Sequence, residues 1–223
     1  MGHTRLGSIP KSRKWNAVVA AVAGFRGSGG GAGLATERVG TIADLALQAA
    51  EEGLTRAEKD AGLQCTFYLL TQLVLAARQP DWRERLERVG VQLPTDATTF
   101  DLAAAIQAAV DDHVGASARP TDISEIAQQA AGEAVISLAA PRATTLFGGG
   151  EQELQAATRE LSTKKGFARL GQRFFGRFVA RFLNFYVSRI TADQVGSDAI
   201  QHVGDVSRFN EALRLHCEQS AKI

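Results

Sequence analysis

The chain has 223 residues, 45% hydrophobic and 22% charged, enough for one large domain or two small ones with a sizeable buried core. Its formal net charge of +1 selects no class of partner. No apolar run reaches the ~20 residues of a membrane helix, and two cysteines without CxxC or Cys/His spacing exclude a zinc framework.

The summed charge hides an uneven distribution. Residues 1–40 carry six basic side chains against one acidic, and residues 41–160 carry nine against eighteen. Residues 161–190 carry seven basic side chains and no acidic one. Cys65 and Cys217 both stand in apolar helical contexts and read as reduced, buried thiols of a cytoplasmic protein. Arg outnumbers Lys 19 to 6, the codon bias of a GC-rich bacterium. The basic N-terminus has no Ala-x-Ala site after it, which argues against a signal peptide. Leu6 stands where myristoylation needs Ser or Thr.

Helical signals dominate from the first residues onward. "SRKWNAVVAAVAG" predicts a short helix stopped by Gly24. "FRGSGGGAG" predicts a flexible loop. "TIADLALQAAEEG" has Thr41 and Asp44 in capping-box positions and Gly53 as its stop. The next helix should start at Thr55 with Glu58 and end at Pro80. Asp81 to Gly90 forms one short amphipathic helix, and "VQLPTD" is the best internal boundary. Thr98 or Thr99 caps "TTFDLAAAIQAAVDDHVG". Asp122 and Glu125 have capping-box spacing for the following helix, which Pro141 ends near Ala140. Glycines 148–150 precede "EQELQAATREL". A long basic helix follows, then a polar interlude at 191–206 and a last helix to the end of the chain. The fold class is therefore all-α: a single-domain bundle of about eight helices with a flexible Gly-rich N-terminal region. Residues 1–35 form a basic arm and residues 36–223 the helical domain, with a weak sub-boundary near 91–97.

Chemistry-bearing motifs are scarce. Gly27 and Gly29 begin a G-x-G-x-x-G pattern, but Ala32 holds its last position and no strand precedes it, so a mobile linker is the preferred reading. His3, His113, His202 and His216 lack a second ligand at helical spacing. "DDH" at 111–113 reads as a solvated helix end. His216 and Cys217 diverge by ~100° on a helix and do not pair as base and nucleophile. "KSRKW" at 11–15 sets basic residues beside an aromatic. The preferred reading is a solvated arm with Trp15 tucked into the body.

The most informative stretch is "KKGFARLGQRFFGRFVARFLNFYVSRI", from Lys164 to Ile190, with six of the eleven Phe residues. Arg169, Arg173, Arg177 and Arg181 recur every four residues and form one drifting stripe. The apolar arc opposite spans roughly 200° and the basic arc roughly 140°. Three readings follow. The helix is the core of the bundle with its arginines paired to the acidic 41–160 block. Or the stripe faces a partner, lipid headgroups or nucleic acid. Or the helix lies in a membrane interface. Gly166, Gly171 and Gly176 each cost ~1 kcal/mol of helix propensity, tolerable where another helix packs closely.

No catalytic residue, metal ligand or cofactor is assigned. The expected function is a non-enzymatic accessory or scaffold protein acting through a protein partner in a bacterial cytoplasmic complex. The alternative is binding of an anionic membrane surface, or of nucleic acid, through Arg169, Arg173, Arg177 and Arg181. An enzyme with dispersed residues is the third reading.

Overall fold

The computed structural model describes residues 7–24, 32–117, 119–141, 151–194, 196 and 203–221. Among these residues the structure has nine helices and no strand, so the all-α reading holds. The glycine-rich loop at 25–31 and the glycines at 148–150 lie outside the described residues. The chain forms two compact units. The first spans Ala57–Phe178, and the second combines Gly7–Arg56 with Val179–Lys222. The candidate sub-boundary at 91–97 lies inside the first unit.

The first unit is built on three mutually packed helices: α3 (Ala61–Ala76), α5 (Thr99–Ser117) and α6 (Asp122–Ala139). Helix α4 (Trp82–Glu87) packs on α3, and α7 (Glu151–Glu160) packs on α3 and α6. Residues 164–178 of α8 (Lys164–Asp193) complete the unit. Helix α6 buries Ala127, Ala130, Ala131, Ala134 and Ala139, so neighbouring backbones approach closely. At Gly62 a Cβ would stand 2.2 Å from Ser124 Cβ and 2.9 Å from Ser124 Cα, so α3 and α6 touch there almost backbone to backbone. Fully buried Leu70, Leu73, Leu102, Ile106, Leu170 and Phe174 fill the remaining space.

Several helix starts differ from the sequence expectation. Helix α2 (Ala32–Ala57) begins well before Thr41, so Thr41 and Asp44 lie inside it and do not start it. The break before α3 falls at residues 58–60, because Asp60 accepts from Leu63 N at 3.0 Å and caps the helix. Thr55 lies within α2 and Glu58 inside the break, and they start nothing. The capping box of α6 is Thr121 with Ser124, one residue earlier than Asp122 with Glu125. Thr121 Oγ1 also donates to Asp60 Oδ2 at 2.7 Å, which ties the two caps together. The expected Pro141 stop holds, with Ala140 as C-cap. Residues 93–95 are held by Arg83, which donates to the carbonyls of Leu93, Pro94 and Thr95 and pairs with Glu151 at 2.6 Å.

The second unit contains α1 (Arg13–Ala23), α2 (Ala32–Ala57) up to Arg56, α8 from Val179, and α9 (Val203–Ser220). Ser12 caps α1 by accepting from Trp15 N at 3.2 Å, and Gly24 ends it, as the sequence indicates. Gly53 does not end α2. A Cβ there would stand 2.9 Å from Phe182 Cζ, so this glycine makes room for a ring, at a helix-propensity cost of ~1 kcal/mol. The core is aromatic: Trp15, Phe182, Tyr186 and Phe209 are all buried. Trp15 and Tyr186 lie 5.0 Å apart between centroids, and Phe182 meets Tyr186 edge-on at 5.7 Å. No helix among the described residues is long and apolar enough to cross a membrane.

Candidate functional site

The arginine stripe of α8 is not uniformly presented. Arg169 is exposed, whereas Arg173, Arg177 and Arg181 are half-buried. Arg177 Nη1 meets Glu133 Oε2 on α6 at 2.6 Å, with only 14% of the Arg177 side chain exposed. Its partner comes from the acidic 41–160 block. Arg173 and Arg181 are engaged in interactions as well. Arg169, Arg173 and Arg177 belong to the first unit and Arg181 to the second. On the apolar side, Phe174, Phe178 and Phe182 are buried, while Phe167, Phe175 and Phe185 are half-buried. Phe67 of α3 packs on Phe167, Phe174 and Phe175, with centroids 5.1 to 6.3 Å away. Gly166 is also explained locally. A Cβ there would meet Glu160 O at 2.2 Å and Leu161 Cα at 2.7 Å, so the close neighbour is the preceding turn, not another helix.

Helix α3 carries no charged residue in any of its 16 positions. Its inner face is buried through Leu69, Leu70, Leu73 and Val74. Its outer face exposes Tyr68 at 52% and Leu75 at 45%, two turns apart on the same side. Gln64 is exposed on this face, and Thr71 and Gln72 are half-buried between the two apolar residues. An outward helix surface ordinarily carries charge. This one offers an aromatic ring, an isobutyl group and neutral amides.

The second unit contains a cleft of about 320 Å³. Its inner wall is aromatic, formed by Trp15 of α1 and by Phe182 and Tyr186 of α8. Helix α2 supplies small residues at Ala49, Ala50 and Gly53. Arg13, Lys14, Glu52 and Arg56 line it as charged residues, all exposed. The sequence reading of Trp15 as tucked into the body is correct, and it is only 2% exposed. Sequence reasoning missed the cleft itself. Its signals were Gly53, read as a helix stop, and the basic Lys11–Trp15 run, read as a solvated arm.

Cys217 is buried, and burial, reinforced by the charges of Asp44 and Glu218, pushes its thiol up to about 12. A thiol held so firmly protonated is no nucleophile. Cys65 is half-buried, and burial pushes its thiol up as well. His216 turns away from Cys217 and meets Asp44 on α2, with Nε2 2.9 Å from Oδ1. The spacing argument foresaw that divergence but not the carboxylate partner, 172 residues distant in sequence. "DDH" at 111–113 continues in helix to Ser117, and Asp111 accepts from Gln128 Nε2 at 2.7 Å. No group of three or more His, Cys, Asp or Glu residues suited to a metal ion occurs among the described residues.

Comparison with known proteins places the chain beside none of them: no family model, no curated protein and no solved structure matches.

Proposed function

We propose that the protein is a non-enzymatic helical interaction protein, an accessory or scaffold subunit of a bacterial cytoplasmic complex. The observation that carries this reading is the outer face of α3. Interface centres are depleted in charge and enriched in aromatic residues. Tyr is among the side chains that supply most binding energy when buried at a contact. The charge-free helix, with Tyr68 and Leu75 two turns apart, has that composition. The partner is a protein presenting a charge-poor apolar helix, since ridges on one helix pack into the grooves of another. Two free thiols fit a reducing compartment.

A photo-crosslinking amino acid at position 68 or 75, introduced in cells of the native host, tests the reading. Both sites should capture the same protein at defined mass, and position 84 on α4 should not. Tyr68→Arg with Leu75→Arg should abolish its co-purification while leaving helical content unchanged. Capture of a second copy of this chain would redirect the reading to self-association. Diffuse products indistinguishable from those at position 84 would overturn it.

A further inference from the structure

We infer that the corner between α7 and α8 is a docking surface for the phosphate backbone of a nucleic acid duplex, held without regard to sequence. This surface is separate from the α3 reading and does not rest on it. The corner is tightly built. Gly166 lies against the end of α7: a Cβ there would stand 2.2 Å from Glu160 O and 2.7 Å from Leu161 Cα. The Thr163 hydroxyl accepts from Gly166 N at 3.0 Å and donates to Glu160 O at 3.0 Å, so one side chain ties the two helices together. Arg78 braces the turn by donating to the Ser162 carbonyl.

Arg159, Lys164, Lys165 and Arg169 stand on this corner, and all four are exposed. Among the described residues, none of their side chains has a hydrogen bond or an ion pair. Lys165 and Arg169 are neighbours one turn apart on α8, and exposed Ala168 leaves the face beside them open. Arg159 lies in the last turn of α7. Glu160 is the sole acidic residue from Arg159 to Arg173, and it is engaged in an interaction of its own. The first turn of α8 holds no acid. Lys164 and Lys165 there oppose the helix dipole, and a bound polyanion offsets that opposition. The arginine stripe thus divides: Arg173 and Arg177 are half-buried and engaged, while Arg169 joins the corner.

Charge is all that the corner offers a partner. From Arg159 to Arg173 no large apolar side chain is exposed: Leu161 and Leu170 are buried and Phe167 is half-buried. Firm attachment to an anionic bilayer adds inserted apolar groups to charge. Single strands are held by bases stacked on exposed aromatic rings. Duplex phosphates need neither, because Lys and Arg alone supply sequence-independent binding.

The test uses the intact protein and a fluorescein-labelled DNA duplex of about 20 base pairs, read by fluorescence anisotropy. Two duplexes of unrelated sequence should bind alike, with Kd of about 1–100 µM at low salt. Four phosphate contacts at about −0.9 each set the slope of log K against log salt at about −3.6. Raising salt from about 50 to about 200 mM should therefore weaken binding roughly 150-fold. Arg159→Gln, Lys164→Gln, Lys165→Gln and Arg169→Gln together should remove saturable binding. Each alone should reduce the slope by about one, which keeps the test decisive if circular dichroism shows the quadruple variant unfolded. Lys11→Gln, Arg13→Gln, Lys14→Gln and Arg38→Gln together change the charge equally at exposed positions of the second unit and should leave binding in place. Phosphatidylserine-containing vesicles and a single strand of the same length should bind more weakly at equal phosphate. Saturation absent to about 1 mM duplex, a slope near zero, or loss in the second-unit control instead of the corner variant would each overturn the assignment. So would corner-dependent binding of vesicles or single strand that exceeds binding of the duplex.

Discussion

The two units solve the packing of helices in opposite ways. In the first, α6 is lined with alanine, and α3 crosses it at Gly62 with Ser124 against the backbone. Small residues let helices approach until little space remains between them. In the second, Phe182 stands against Gly53 of α2, and Tyr186 packs on both Trp15 and Phe182. The difference teaches that a small residue on a helix can seat either a neighbouring backbone, as at Gly62, or a distant ring, as at Gly53.

Truncating the rings should show the largest effect. Phe174→Ala in the first unit and Phe182→Ala in the second each remove a fully buried ring. Each should cost about 3–5 kcal/mol in urea unfolding. The closer packing of the first unit places Phe174→Ala at the upper end, because neighbouring backbones have less freedom to collapse into the cavity. A smaller cost for Phe174→Ala than for Phe182→Ala would break the comparison.

Adding a methyl group probes the same contrast from the other side. Gly62→Ala would place its Cβ 2.2 Å from Ser124 Cβ and 2.9 Å from Ser124 Cα, and the Cα cannot rotate away. It should cost about 3 kcal/mol. Gly53→Ala meets only the tip of Phe182, at 2.9 Å, and recovers ~1 kcal/mol of helix propensity. Its net cost should therefore be near 1 kcal/mol or below. Equal costs for the two substitutions in thermal or urea unfolding would mean that the helices of the first unit can separate as easily as a ring can tilt.

A smaller effect belongs to the joined caps. Asp60→Ala removes the acceptor of Leu63 N and of Thr121 Oγ1 at once. It should cost about 1–2 kcal/mol. Thr121→Ala should cost a similar amount, and the double variant less than the two together, because one hydrogen bond is shared. Strict additivity in that double-mutant cycle would remove the coupling between the starts of α3 and α6.

How much of this was legible depended on the range of the interaction. Caps and stops made by neighbouring residues could be read directly: Gly24 after α1, Thr98 before α5, Pro141 after α6. Gly53 could not, because a helix stop and a seat for a distant ring look identical in sequence. Its partner Phe182 stands 129 residues later. Asp60 was missed although its bond from Leu63 N is local, because Thr55 and Glu58 offered an equally good box. The arginine stripe showed its spacing but not its partner, since Glu133 is one of eighteen acidic residues in the 41–160 block. The cleft was invisible because its walls come from three helices, and no single segment shows which side chains the fold brings together.

The smallest effect is electrostatic and sits at the start of α5. The hydroxyl and backbone N–H of Thr98 both donate to Asp101, at 2.6 and 2.8 Å, and hold its carboxyl below the usual range. The ionised form is therefore favoured in the folded state over the unfolded chain, where the group titrates near ~3.9. The resulting stabilisation is fully present above that pH and is lost as pH falls through the lower folded value. Asp81 contributes in the same direction, because the Arg85 hydrogen bond lowers its carboxyl too. The first unit should therefore lose stability on acidification below about pH 4. Asp101→Asn keeps an acceptor for the cap but cannot ionise, so its stability-versus-pH curve should be flatter there. Asp81→Asn should flatten it further. Urea unfolding from pH 5 downward, followed at Trp82 of the first unit, measures both slopes. A variant curve parallel to that of the parent would show that the Thr98–Asp101 bonds persist unchanged in the unfolded chain.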